Sequence, residues 1–151
     1  MVTILQLRSC GLEELEELYA REGDVSLPEG CFRGAHLARL ETPGARLLRW
    51  RLAQAPIFEL VPFGVDFQAR RWFFFRRSIA LGRFEPTVGP SRWRETETIR
   101  LDYSGSSLPA PVRELLYDEV KPLSENLYLG IGGIDAPRGE GDHFFFALER
   151  M

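Results

Sequence analysis

The sequence predicts a mainly β, α+β fold: antiparallel strands that close into a barrel or strongly curved sheet, with an N-terminal helix and one or two short helices. Three observations predict it. Apolar and polar residues alternate with period two, as in Ile99-Arg100-Leu101-Asp102-Tyr103, which marks strands with one buried face. Aromatic residues, 12% of the chain with 11 phenylalanines, are clustered, and such clusters line cores or apolar pockets. Gly130, Gly132 and Gly133 interrupt an apolar strand, as they do where a sheet bends or coils.

Taken in order, residues 2–7 form a short apolar stretch that reads as a strand. Residues 12–22 predict a helix, because Leu12, Leu15, Leu18 and Tyr19 share one face. Glu13 and Glu14 lie in its first turn, where the helix dipole favours anions, and Gly23 stands ready to end it. Residues 27–30 read as a turn. Residues 31–41 then alternate: Phe32, Gly34, His36, Ala38 and Leu40 take one face, and Arg33 and Arg39 the other. His36 therefore points to the core side, either as a histidine satisfied within the packing or as a ligand contact.

Residues 45–55 favour a helix through strong helix formers, although Leu48, Trp50 and Leu52 also alternate with arginines. Two prolines and a glycine reduce residues 56–67 to loop or short strand pieces. The run from 68 to 86 places Trp72 and Phe74 on one face and Phe73 and Phe75 on the other, a strand covered on both sides. Val88-Gly89-Pro90 breaks the chain. Residues 97–103 are a strand whose Tyr103 hydroxyl, pointing inward, needs a partner. Residues 105–111 are a loop, and 112–121 a short helix closed by Pro122. Strands follow at 126–134 and 143–151, separated by a turn at 136–142. In the last strand Phe144, Phe146 and Leu148 oppose Phe145 and Ala147.

Composition narrows function. With 44% hydrophobic and 27% charged residues the chain builds a core, and its 151 residues fit one domain, 1–151. A net charge of −3 argues against general nucleic-acid binding. The arginines at 70, 71, 76, 77, 83, 92, 94 and 100 read as solvated outward strand positions. No run of about 18 apolar residues exists to span a membrane. The first residues lack the pattern of a secretory leader, so the cytoplasm is expected. Cys10 and Cys31 are expected as free thiols.

Several motifs resemble a family of small bacterial lipocalin-like (calycin-type) β-barrel proteins. They are Gly30-Cys31-Phe32-Arg33-Gly34, Leu101-Asp102-Tyr103-Ser104, Asp118-Glu119-Val120-Lys121 and Leu127-Tyr128-Leu129-Gly130. The resemblance runs from about residue 30 to 150. Two positions depart from it: residues 62–67 carry no lysine, and Tyr117 stands where the family has an arginine. The resemblance implies a lipocalin-like antiparallel barrel. Its interior would hold a small apolar molecule against Phe32, Trp72, Phe74, Tyr103 and Phe146, in a pocket of about 300–1,000 Å³.

Asp118 and Glu119, adjacent in a short helix, cannot face the same way. An inward carboxyl is either a candidate acid or base, or half of an ion pair with Arg113. Asp118, His36 and Tyr103 are the candidate catalytic set, converging on the inner face to move a proton. On that reading the protein is a cyclase or isomerase acting on a polyketide- or terpenoid-like molecule. Without chemistry it is a binding protein. His36 and His143 lack the paired spacing of metal ligands, and neither metal nor cofactor is implied. A homodimer is compatible with the sequence.

Overall fold

The computed structural model describes residues 2–40, 60–134 and 143–151. The helix expected over 45–55 and the turn at 136–142 lie outside them. Residues 2–7 are not a strand. Residues 4–7 begin helix α1 (Ile4–Ser9), set by a capping box at Thr3. The Thr3 hydroxyl accepts from the Gln6 amide at 3.3 Å, and the Gln6 side chain accepts from the Thr3 amide at 2.9 Å. Helix α2 (Leu12–Ala20) follows, with the Glu14 carboxylate accepting from the Gly11 amide at 2.8 Å. Leu15 and Tyr19 are its buried residues, whereas Leu12 is exposed. The helix leaves through an extended Arg21, and Gly23 plays no part.

Among the described residues, nine strands make one antiparallel sheet. They are β1 (Cys31–Leu40), β2 (Phe63–Asp66), β3 (Arg71–Phe74), β4 (Arg76–Arg83), β5 (Glu85–Pro90), β6 (Glu97–Asp102), β7 (Leu116–Ser124), β8 (Leu127–Ile134) and β9 (His143–Arg150). A short helix α3 (Ala110–Leu115) lies before β7. The strand order is β4-β3-β2-β1-β9-β8-β7-β6-β5, so β1 lies beside β9 and the two ends of the sheet are β4 and β5. The sheet curls until those ends approach, giving a nearly closed barrel. Side chains bridge the remaining seam: Trp72 of β3 donates its indole N–H to the Tyr103 hydroxyl, just beyond β6, at 2.6 Å. Phe84, between β4 and β5, packs edge-on against Tyr103 and Phe67.

Period two divides the side chains between two cores. Phe32, Val65, Ile99, Leu101, Val120, Tyr128, Phe146 and Leu148 fill the inside of the curl. Leu127, Leu129, Ile131, Phe145 and Ala147 face outward, where Leu7, Leu15 and Tyr19 of the helices cover them. Fully burying such a side chain contributes about 1.5–3 kcal/mol, so helix docking rests on these contacts. The glycines of β8 make room inside. A Cβ at Gly132 would stand 2.7 Å from the Phe144 ring, and one at Gly130 would overlap Phe146.

Four expectations about local structure change. The helix expected over 112–121 stops at Leu115, and the rest is β7, paired to both β6 and β8. Ladder bonds on two sides override a weak helical preference. The run from 68 to 86 is a tight hairpin, because Phe75 takes a left-handed conformation (φ 60°) between β3 and β4. Residues 88–90 continue β5, where edge position tolerates Pro86 and Pro90. In β1 a bulge between His36 and Ala38 switches parity. Ala38 and Leu40 therefore pack toward the helices and not with His36.

Candidate functional site

The interior has two unlike halves. Around Phe32 it is packed solid: Phe67 and Tyr128 meet that ring edge-on at 5.6 and 5.2 Å, and the Arg150 guanidinium caps it at 5.1 Å. In the other half, inward residues are only half-buried: His36, Phe63, Trp72, Phe74, Leu116 and Phe144. Their rings touch in sequence. His36 stacks on Phe144 at 5.6 Å, Phe144 meets Phe146 at 5.9 Å, and Phe146 meets Trp72 at 5.7 Å and Phe63 at 6.3 Å. Phe74 is the register partner of Phe63, so it shares this face. These rings form a continuous aromatic wall on the inner face of the sheet.

One polar group is built into that wall. Tyr103 donates its hydroxyl proton to Asp118 Oδ2, while receiving the Trp72 N–H. Asp118 reaches the interior because strand parity sends it there, opposite Leu101 on β6 and Gly132 on β8. Gly132 matters locally: a Cβ there would stand 2.5 Å from Asp118 Oδ1. Burial pushes the Asp118 carboxyl up to about 7; the Tyr103 bond pulls it down and nearby Glu119 pushes it further up. Burial likewise drives the Tyr103 hydroxyl well above its ordinary value, with Asp118 adding to the effect. Both groups are therefore protonated through the weakly acidic range.

Glu119, the neighbour, takes the opposite face and is also fully buried. Its carboxylate accepts from the Tyr19 hydroxyl at 2.8 Å, the Tyr117 hydroxyl at 2.7 Å and the Arg92 amide at 2.6 Å. Those bonds tie α2 and the β5–β6 connection to β7. A second tie is the Arg94–Glu16 ion pair. This outer cluster is an anchor, with both carboxylate oxygens of Glu119 bonded to the fold. No ion pair joins Arg113 to Asp118 or Glu119: its guanidinium donates to the Ser104 and Ser106 carbonyls at 3.4 and 3.2 Å.

The candidate residues are placed as follows. Tyr103 and Asp118 meet directly, and Trp72 joins them. His36 stands one ring away, across Phe144, and makes no hydrogen bond to either. Phe146 and Phe74 belong to the aromatic wall. Phe32 lies in the packed half and is 0% exposed, so it forms floor and not wall. Sequence reasoning left out Phe63 and Phe144 as wall residues. Their parity in strands 63–66 and 143–150 was the available signal. The His143 side chain lies outside the described residues. Outside the barrel, a cleft of about 210 Å³ is lined by Asp66, Ala69, Arg71, Trp72, Phe73, Arg77 and Ala80. Asp66 there already accepts from the Ala69 amide at 2.8 Å, and hydrogen bonding holds its carboxyl below the usual range against the opposing effect of burial.

Comparison with known protein families and with curated proteins finds no match. Among solved structures, the crystal structure of a protein from Thermomonospora curvata is similar. The two share 17% sequence identity with a TM-score of 0.58, over 94% of this chain and 88% of that one. At that identity the likeness shows the fold alone.

Proposed function

We propose that the protein binds a small, largely apolar metabolite in the open half of its barrel, as a lipocalin-like carrier or sensor in the cytoplasm. The observation that carries this reading is the aromatic wall of Phe63, Trp72, Phe74, Phe144 and Phe146. Four of its rings are half-buried, Phe146 is fully buried, and the buried Tyr103–Asp118 pair lies beside them. Apolar walls with few, well-placed polar atoms are the usual chemistry of small-molecule sites. The free thiols Cys10 and Cys31 fit a reducing compartment. Native mass spectrometry of freshly purified protein tests the proposal. A noncovalent adduct that is released intact on denaturation supports it. A bare chain that also fails to take up naphthalene-type probes at Trp72 overturns it.

A second reading, a cyclase or isomerase working on a polyketide- or terpenoid-like guest, is favoured by the carboxyl held at about 7 beside Tyr103. A group so poised exchanges protons efficiently near neutrality. Here Asp118→Asn and His36→Ala each slow turnover of a recovered guest. Unchanged turnover in both variants leaves the binding reading alone.

A further inference from the structure

The hydrogen bonds around Asp118 have a fixed direction. An indole N–H only donates, so Trp72 occupies a lone pair of the Tyr103 oxygen. Tyr103 then has one proton to give, and Asp118 Oδ2 is where it goes. Any proton on the carboxyl therefore resides on Oδ1. That oxygen lies over Gly132, beside the Phe144 ring, and accepts no hydrogen bond among the described residues. Asp118 is 8% exposed on the inner face of β7, so the side chain that carries Oδ1 is buried beside the aromatic rings.

Such an O–H selects its partner. A hydrocarbon leaves it unsatisfied, at about 1–3 kcal/mol for a buried donor. An anion would meet a site already under the influence of Glu119. A neutral acceptor satisfies it without adding charge. We propose that the guest is a neutral carbonyl compound, a ketone, ester or lactone, whose oxygen accepts a hydrogen bond from Asp118 Oδ1. The inference rests on the barrel-binding reading and names the chemistry of that same site. Trp72 and Tyr103 are positioning residues, holding the proton on Oδ1.

Binding then weakens as pH rises past about 7, when the donor ionises. The other titratable or charged groups around Asp118 are Tyr103, Glu119 on the far face of β7, and His36 of β1 beyond Phe144. Arg113 of α3 is engaged with the Ser104 and Ser106 carbonyls.

The test uses two probes of similar shape, the ketone acetylnaphthalene and the hydrocarbon isopropenylnaphthalene, titrated by quenching of tryptophan fluorescence. At about pH 5.5 the ketone should bind about tenfold more tightly, one hydrogen bond's worth, and at about pH 8.5 the preference should vanish. Asp118→Asn should keep the preference at both values, because its amide N–H replaces the carboxyl O–H and does not titrate. Infrared spectra of the ketone bound to the wild-type protein give the same answer without a variant: a carbonyl stretch lowered in acid and released in base. Equal binding of both probes overturns the carbonyl assignment and leaves barrel binding standing. Failure of both probes to bind overturns barrel binding itself. A pH-dependent preference that persists in Asp118→Asn overturns the assignment in favour of His36.

Discussion

Replacing Asp118 with asparagine isolates what the buried carboxyl does to the fold. Burial holds this group at about 7 instead of its ordinary 3.8. At about 1.4 kcal/mol per tenfold change in proton affinity, that difference is about 4 kcal/mol. The folded state keeps a proton that the unfolded chain surrenders above 3.8. The stability this represents is fully present below 3.8, is lost progressively as pH rises, and is gone above about 7. Asparagine is nearly isosteric, still accepts from Tyr103, and does not titrate. Any fixed offset it brings is the same at every pH. Urea unfolding of both proteins between about pH 4 and pH 8 should therefore show their difference moving by about 4 kcal/mol in favour of asparagine. In thermal unfolding the same change is about 10 °C in Tm. A difference that stays constant within 1 kcal/mol, or moves in favour of aspartate as pH rises, refutes the reasoning.

Three further outcomes follow from the same structure. Tyr103→Phe removes the bond that favours the ionised carboxyl, so NMR titration of Asp118 should move further up, with a stability loss of about 1–3 kcal/mol. Glu119→Ala strands the Tyr117 hydroxyl and the Arg92 amide and leaves the Tyr19 hydroxyl only Thr98, and urea unfolding should show a loss of about 3 kcal/mol or more; Tyr19→Phe should lose about 1 kcal/mol. Gly64→Ala should lose about 2–3 kcal/mol in chemical denaturation, because its methyl would overlap both the Phe73 ring and the Phe32 carbonyl.

Strand periodicity made much of the fold legible. Phe144, Phe146 and Leu148 point inward as their alternation demands, and Ile99, Leu101 and Tyr103 do the same. Expectation and structure part where a single backbone event resets the pattern. The bulge after His36 and the left-handed Phe75 are such events, and neither leaves a glycine to announce it. Thr3 and Gln6 did carry a readable helix signal, a capping box hidden in an apolar stretch. Residues 112–121 misled because helix formers there are outvoted by ladder bonds from strands on both sides. The Tyr103–Asp118 pair was guessable as two inward groups, but its contact depends on how β6 and β7 align. The Trp72 bond depends on how far the sheet curls, which no local pattern records.

Because the circle is fastened by side chains and not by a ninth ladder, the sheet keeps two unfinished borders among the described residues. Raw strand borders invite other chains to add on. Arg76, Arg77 and Arg83 stud one of them with like charge, and Pro86 and Pro90 deprive the other of amide donors. The loose fastening is thus matched by hemmed margins that keep the molecule from stitching itself into fibres.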